Sequence, residues 1–257
     1  MVRNYPGFPC GIAGKKLMSL MRHQATQFGA TYCVNEVHAL EKTEEFFVGH
    51  ASARTFRART VILATGMVDR QPNMPTRLRG KAVAEGLLRY CPICDGYEIT
   101  DKPVAVLGTS AHATKEAKFI RTFTSEVSLI APDGAHRIDR VERARLSQDV
   151  EVLDGPCTIL GLSNGRVALQ LPSGVRWFAS VYVALGTDPR SELATALGGQ
   201  LSPWGYVLTD EHQRTRIPSV YAVGDVVEGL SQISHATGQS GVAATAVRNE
   251  LASATAS

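Results

Sequence analysis

Short apolar runs that end in a turn of small residues recur along this chain of 257 residues. Three of them, at 103–108, 181–186 and 220–225, have the length and uniform hydrophobicity of strands buried on both faces of a parallel sheet. A helical pattern at about 112–122 and another strand-like run at 126–130 follow the first, which gives a β–α–β order. This alternation predicts an α/β fold of the doubly wound type.

The remaining segments predict smaller elements around these strands. Apolar residues recur at helical spacing from Leu17 to Phe28, which predicts a helix over 14–28 that Gly29 ends. Two prolines predict a loop over 69–80, and a domain boundary is expected a little after it. Further helices are expected at 136–147 and 236–251, and further strands at 31–40, 45–48, 53–57, 60–64, 150–153, 157–161 and 166–171.

Composition narrows the class of protein. Hydrophobic residues make up 44% of the chain, yet no apolar run approaches the roughly 18 residues of a membrane span. The basic residues are scattered and the net charge is only +3, which does not indicate a nucleic-acid surface. Five cysteines, of which only Cys91 and Cys94 are close in sequence, suit a reducing compartment. We therefore expect a cytoplasmic protein with neither a nucleic-acid nor a membrane partner.

The segment CPICDG at 91–96 carries the candidate chemistry. Cys91 and Cys94 are spaced to close into a disulfide and reopen as a dithiol, and Asp95 follows directly, placed to move the proton that exchange requires. Cys91 would attack a substrate disulfide and Cys94 would resolve the mixed disulfide. A zinc site needs about four ligands, and no second CxxC or CxxH occurs, so no metal is predicted. Two structural thiols remain the alternative.

Five motifs in order carry a family resemblance: NYPGFP at 4–9, ATG at 64–66, CPICDG at 91–96, GD at 224–225 and a helix start at 232–241. On these motifs the chain resembles the low-molecular-weight thioredoxin reductases, class II pyridine nucleotide-disulfide oxidoreductases, from about Asn4 to Leu251. The resemblance implies two three-layer nucleotide-binding domains, one inserted in the other. The FAD-binding domain would comprise 1–85 and 204–257, and the inserted pyridine-nucleotide domain 86–203.

The resemblance also implies a reaction and its partners. Electrons would pass from NAD(P)H to FAD, then to the Cys91–Cys94 disulfide, and on to a thioredoxin-like protein or a small-molecule disulfide. Cys94 would lie next to the flavin, and Asp95 would be the general acid/base. The family further suggests a homodimer.

Candidate cofactor residues follow from the same motifs. Gly108, Ser110 and Ala113 stand where a dinucleotide-binding GxGxxA turn would lie, with a serine in place of the second glycine. Asp133 follows the next strand and favours a ribose diol over a 2′-phosphate, so both NADH and NADPH are kept as candidates. The FAD-binding candidates are Asn4, Ala64, Thr65, Gly66, Gly224, Asp225, Gln232 and Ile233.

One departure bears on FAD. The family opens with a strand, a GxGxxG turn and a helix that bind the FAD pyrophosphate, and no such unit precedes Asn4. We therefore expect an FAD-type domain that is incomplete at its N-terminus, with FAD retention in question. Three hypotheses follow: a flavin-dependent reductase, a truncated or non-flavin remnant that serves as a dithiol or interaction module, and one half of a split reductase.

Overall fold

The computed structural model describes residues 1–253; residues 254–257, the end of the expected 204–257 segment, lie outside the described residues. The helices are α1 (Gly14–Gln27), α2 (Thr76–Ala84), α3 (Pro92–Asp95), α4 (Ala111–Ile120), α5 (Arg140–Leu146), α6 (Glu192–Ala196) and α7 (Ile233–Ser253). The strands are β1 (Val37–Lys42), β2 (Phe47–Ala51), β3 (Arg54–Ala58), β4 (Val61–Leu63), β5 (Met67–Asp69), β6 (Leu88–Arg89), β7 (Val104–Leu107), β8 (Val127–Ile130), β9 (Glu151–Leu153), β10 (Thr158–Ser163), β11 (Arg166–Leu171), β12 (Gly174–Phe178), β13 (Ser180–Val183), β14 (Thr187–Pro189) and β15 (Val220–Ala222). Two 3₁₀ turns span Gly96–Ile99 and Gly224–Val226.

The chain divides into two compact units. The outer unit comprises Met1–Val68 and the residues from Asp188 onward, and the central unit comprises Asp69–Thr187. The sequence analysis placed the two domain boundaries later in the chain, between residues 85 and 86 and between residues 203 and 204. The difference arises because Ala82 packs in the core of the central unit, whereas Ala194 packs in the core of the outer unit.

A five-stranded parallel sheet organises the central unit, in the order β6-β13-β7-β8-β9. Alternate residues of β7 enter different cores, because successive side chains of a strand point to opposite faces. Val104 and Val106 pack with residues of α4 and α5. Ala105 and Leu107 pack with residues of α2 and of the antiparallel sheet β10-β11-β12. The three layers confirm the α/β fold, with an antiparallel sheet covering much of one face.

The outer unit contains two small sheets. Strands β1-β2-β3 form an antiparallel meander, and β4 pairs with β15 in parallel. Apolar residues from both sheets share a core that includes Leu40, Phe47, Leu63 and Ala222. Helix α7 packs Ala243 and Ala246 against Tyr221 and Val223 at the end of β15. The end of the parallel pair therefore packs against a long helix.

Several predicted elements have shifted bounds. The expected loop over 69–80 is wrong from Thr76 onward, where α2 begins. Pro75 immediately precedes α2, and a proline before the first turn does not interrupt the helical hydrogen bonds. Strand β1 begins at Val37 rather than near residue 31, and β12 had not been expected. Within residues 1–253, no helix is both long and apolar enough to span a bilayer.

Candidate active site

Cys91 and Cys94 form a disulfide in the central unit, with their Cα atoms 5.3 Å apart. Cys91 is the residue before α3, and the amide of Cys94 donates to the Cys91 carbonyl over 3.0 Å. Pro92 opens the helix and is buried, whereas Ile93 is 56% exposed. The predicted redox pair is therefore assembled on a single helical turn, with both sulfur-bearing residues half-buried.

The glycine of the CPICDG segment has a packing role. A Cβ atom at Gly96 would lie 2.7 Å from a ring carbon of Phe123. Because real Cβ atoms do not approach other carbons so closely, any other residue at this position would require the Phe123 ring to move. The aromatic ring thereby fixes the turn that follows the disulfide.

Both oxygens of the Asp95 carboxylate are occupied. The Tyr182 hydroxyl donates to Oδ1 over 2.7 Å, and Arg89 Nη1 lies 2.8 Å from Oδ2. Arg89 Nη2 lies 3.0 Å from Glu98 Oε2, so one guanidinium connects two carboxylates beside the redox turn. Charge-assisted bonds of this kind are shorter and stronger than neutral ones.

Strand pairing explains why these side chains meet. Arg89 on β6 is the direct register partner of Tyr182 on β13, so both side chains project from the same face of the parallel sheet. Arg89 Nε donates to the Gly86 carbonyl over 2.8 Å, and the Arg89 side chain is only 10% exposed. The sheet therefore presents a buried cation and a buried phenol to Asp95.

Burial decides the charge state of the two partners. Desolvation, with the bond to Asp95 adding to it, raises the pKa of the fully buried Tyr182 far above its usual range, so Tyr182 is a neutral donor. Burial alone would lower the pKa of the Arg89 guanidinium, but Asp95, Tyr182 and Glu98 outweigh burial and raise it. Arg89 is therefore a permanent cation at this site.

The sequence analysis missed Arg89, Glu98 and Tyr182. The sequence offered one indication of Arg89 and Glu98, because both are charged residues close to the CPICDG segment. It offered no indication of Tyr182, because that residue lies in an apolar strand 87 positions after Asp95.

The predicted nucleotide turn lies at the end of β7, before α4. A Cβ atom at Gly108 would lie 2.5 Å from the Ala184 carbonyl oxygen and 2.7 Å from Ala113 Cβ, so only glycine fits. The Ser110 hydroxyl accepts from the Ala113 amide over 3.4 Å and caps α4. Gly108, Ser110 and Ala113 thus meet at one helix start, as a dinucleotide-binding turn requires.

The segment after β8 folds beside this turn. The Arg137 amide donates to the Thr109 carbonyl over 3.2 Å, which brings 131–137 next to the nucleotide turn. Asp133 and Arg137 are exposed in this segment. The carboxylate of Asp133 is therefore accessible, as the prediction about the nucleotide ribose requires.

In the outer unit, the predicted FAD residues follow two paired strands. Ala64, Thr65 and Gly66 come directly after β4, and Gly224 and Asp225 come just after β15. The strands are parallel, and the Val223 amide donates to the Leu63 carbonyl over 2.9 Å beyond the ladder. The two motifs therefore lie at the same edge of the sheet.

These residues differ in which of their polar groups already have a partner within the protein. Gly66 has φ +71° and open space where a Cβ would be, whereas the Thr65 hydroxyl is engaged with the Arg190 carbonyl over 2.6 Å. The Gly224 amide donates to Gln239 Oε1 over 2.7 Å. Burial raises the pKa of the Asp225 carboxyl, and the nearby His235 opposes the shift.

Asn4 and Gln232 meet although 228 positions separate them. Asn4 Nδ2 donates to Gln232 Oε1 over 2.7 Å, and Ile233, the first residue of α7, is 41% exposed. Amide side chains, a carboxylate and accessible glycine backbone form a donor set that suits the polar edge and hydroxylated chain of a flavin. The residues present therefore fit the ring and ribityl part of FAD.

Among residues 1–253, no group of three or more His, Cys, Asp or Glu side chains comes together as a metal ligand set.

Comparisons with known proteins show which family this chain resembles. The family described as pyridine nucleotide-disulphide oxidoreductase matches residues 10–240. A thioredoxin reductase of Listeria innocua is 30% identical over 260 residues, covering 94% of this chain and 78% of the relative. A bifunctional thioredoxin reductase/thioredoxin of Mycobacterium leprae is 31% identical over 262 residues, covering 95% of this chain and 55% of the relative.

A solved structure of the same family is similar to this chain over nearly its whole length. The crystal structure of thioredoxin reductase from Streptococcus pyogenes has a TM-score of 0.87 at 25% identity and covers 98% of this chain and 84% of its own. These similarities confirm the resemblance inferred from the five motifs. The chain belongs to the pyridine nucleotide-disulphide oxidoreductase family, among its thioredoxin reductase-like members.

Proposed function

We propose that this protein is a flavin-dependent disulfide reductase that passes electrons from a pyridine nucleotide to the Cys91–Cys94 disulfide and on to a substrate disulfide. The observation that carries the proposal is the disulfide on a single helical turn, with an acid held next to it, in a parallel-sheet unit that also carries a nucleotide-type turn. The substrate is a thioredoxin-like protein or a small-molecule disulfide. The name of the Mycobacterium leprae relative, which joins a reductase to a thioredoxin, supports the first.

The cysteines exchange bonds in two balanced steps. In the reduced protein, the Cys91 thiolate attacks one sulfur of the substrate disulfide, forming a mixed disulfide and releasing one substrate thiolate. The Cys94 thiolate then attacks the Cys91 sulfur, which restores the Cys91–Cys94 disulfide and releases the second substrate thiolate. The substrate gains two electrons and takes up two protons, and Asp95, the next residue after Cys94, would transfer protons.

We assign the cofactor residues to the two units. In the outer unit, Asn4, Ala64, Thr65, Gly66, Gly224, Asp225, Gln232 and Ile233 would hold FAD. Bound FAD supplies the step that the protein lacks, accepting a hydride and returning two electrons to a disulfide. The chain's own residues bind and orient: Asp225 offers a carboxylate to a sugar hydroxyl, and the strand-end glycines allow close approach of backbone amides.

In the central unit, Gly108, Ser110 and Ala113 would receive the pyridine nucleotide. The Ser110 oxygen accepts from the Ala113 amide, which leaves its own hydrogen available for a phosphate oxygen. The exposed carboxylate of Asp133 would accept hydrogen bonds from a ribose diol and repel a 2′-phosphate. We therefore propose NADH as the better of the two candidate donors, although the family's thioredoxin reductases use NADPH.

Steady-state turnover tests this proposal. Protein incubated with FAD and then desalted should retain a visible flavin spectrum and oxidise NADH, or NADPH more slowly, in the presence of oxidised thioredoxin or an aromatic disulfide. Cys94→Ser should abolish disulfide reduction, whereas the matched Cys10→Ser, at an exposed cysteine outside the disulfide, should not change it. Protein that keeps no flavin and does not turn over would refute the reductase proposal.

A second candidate function has one observation in its favour. The residues whose contacts with Asp95 and Arg89 are described above, from Gly86 to Tyr182, all belong to the central unit. A dithiol module without flavin would therefore be chemically complete. It predicts colourless protein whose disulfide is reduced by dithiothreitol and reoxidised by substrate disulfides, with no response to NADH or NADPH.

A further inference from the structure

Arg89 holds an unusual position beside the redox turn. Its side chain is 10% exposed, and each of its three nitrogens has an acceptor: the Gly86 carbonyl, Asp95 Oδ2 and Glu98 Oε2. Isolated buried cations are costly, so a buried guanidinium remains stable only if its partners are in place. The redox turn and the edge strand β6 are therefore tied together by one charged side chain.

We propose that Arg89 and Tyr182 are positioning residues of the redox centre. They fix the Asp95 carboxylate against the sheet, and they limit the negative charge beside the Cys91–Cys94 pair so that a thiolate can form. The inference rests on the proposed function, because it concerns the thiol chemistry of the same disulfide. Neither residue acts on the substrate. Both act through Asp95, Tyr182 on Oδ1 and Arg89 on Oδ2.

The charges that face the site give the direction of the effect. Asp95 and Glu98 contribute two negative charges, Arg89 contributes one positive charge, and Tyr182 is neutral. Lys102 lies nearby and donates to the Glu98 carbonyl over 2.8 Å. Without the guanidinium, two carboxylates that lie within four residues of Cys94 would lose the counter-charge that both contact. A like charge nearby disfavours the ionised form of a thiol, so the thiolate would form only at higher pH.

Four variants separate charge from packing. Arg89→Met keeps the length of the side chain and removes its charge, whereas Arg89→Lys keeps the charge and loses the two-pronged contact. Tyr182→Phe removes only the hydroxyl and leaves the buried ring. Arg176→Met is the matched control, because Arg176 is also a central-unit arginine paired with a carboxylate, Glu151, at 2.7 Å.

The measurement is the pH dependence of alkylation. The full-length protein is reduced with dithiothreitol, desalted without oxygen and pulsed with iodoacetamide across about pH 5 to 10, the range in which protein thiols ionise. Mass spectrometry then follows the peptide that carries Cys91 and Cys94, separately from Cys10, Cys33 and Cys157. A second sample, re-oxidised with oxidised glutathione, reports whether the disulfide re-forms.

We expect Arg89→Met to move the midpoint of the profile to higher pH, with alkylation below the midpoint roughly threefold or more slower, which corresponds to about half a pH unit. Tyr182→Phe should move it in the same direction by less. Arg89→Lys should stay within about twofold of wild type, since it retains the cation. Arg176→Met should match wild type.

Two results would overturn the assignment. An unshifted midpoint in both Arg89→Met and Tyr182→Phe, with a disulfide that re-forms normally, would refute the positioning role and leave the proposed function intact. A wild-type pair that does not re-form its disulfide would refute both. If Arg89→Met does not fold, the shift in Tyr182→Phe decides the question, because that variant keeps the buried aromatic ring and loses only its hydroxyl.

Discussion

Several glycines of the central unit, Gly96, Gly108 and Gly155 among them, stand where neighbouring atoms come closer to the backbone than a Cβ atom allows. Gly96 faces the ring of Phe123, and Gly108 faces the carbonyl of Ala184. Neither has the positive φ that usually explains a required glycine. A larger residue would have to displace a ring at Gly96 and fixed backbone at Gly108, so the constraint is stricter at Gly108. Gly96 fixes the turn after the disulfide, and Gly108 fixes the helix that would receive a nucleotide.

Gly108→Ala should therefore destabilise the central unit by about 1–3 kcal/mol, since overpacking forces the backbone to move. Urea unfolding in a Trp204→Phe background isolates the signal of Trp177, which belongs to the central unit. Gly161→Ala is the control, because no atom lies within 4 Å of a Cβ built there. Equal stability of Gly108→Ala and Gly161→Ala would contradict the packing role of Gly108.

Cys157 should behave as an inert thiol. Burial raises its pKa to about 11, so the reactive thiolate forms in quantity only as the pH approaches that value. At pH 8 we expect iodoacetamide to alkylate Cys157 at least about tenfold more slowly than the exposed Cys10 and Cys33. The rate for Cys157 should still be rising between pH 9 and 10; a plateau already below about pH 9 would show that the site is not desolvated.

At the scale of elements, the start of α4 combines two competing demands on Ser110. Its hydroxyl caps the helix by accepting from the Ala113 amide, but its side chain stands where a glycine would let a pyrophosphate approach. The bond is long, at 3.4 Å, so the cap contributes near the lower end of the usual range. A serine here therefore exchanges some nucleotide access for a small gain in helix stability.

Two substitutions separate these effects. Ser110→Ala removes the cap and should cost about 0.5 kcal/mol in urea unfolding, whereas Ser110→Gly should cost only a few tenths. Calorimetric titration should show weaker binding of NADH by Ser110→Ala, which loses the hydroxyl donor without opening the turn, than by Ser110→Gly, which opens it. If both variants bind NADH as the wild type does, the nucleotide does not approach this turn.

The sequence predicted elements well where the pattern was local. Strand β7, helix α4 and strand β8 lie within about two residues of their expected bounds, because a wholly apolar strand and a glycine turn are encoded by adjacent residues. Helix α2 was missed because Pro72 and Pro75 suggested a loop, although both precede the helix. Strand β12 was missed because it is only five residues long and follows β11 after a turn of two residues, Pro172 and Ser173.

Contacts that depend on strand register could not be predicted from the sequence. Arg89 meets Tyr182 only because β6 pairs in parallel with β13, and nothing in either segment specifies that register. Asn4 and Gln232 lie outside the strands, and their contact across 228 positions depends on the tertiary fold. The cysteines and the acid were predictable because they are adjacent, whereas the residues that hold the acid are distant in sequence.

At the scale of the whole molecule, each unit carries a distinct part of the proposed chemistry. The outer unit gathers the flavin candidates at the ends of β4 and β15, and the central unit holds the nucleotide turn and the disulfide. Family membership rests on nearly the full chain, since the match spans residues 10–240. The central claim is that electrons from a pyridine nucleotide reach Cys91 and Cys94 in this chain.

Thiol trapping tests that claim most directly. Protein loaded with FAD and desalted is incubated anaerobically with NADH or NADPH, then alkylated and digested. The proposed function predicts that the peptide carrying Cys91 and Cys94 becomes doubly alkylated, faster with NADH, and that it stays unlabelled without nucleotide. A pair that remains oxidised with both nucleotides, yet opens with dithiothreitol, would contradict the proposed function and identify the protein as a dithiol module without its own electron supply.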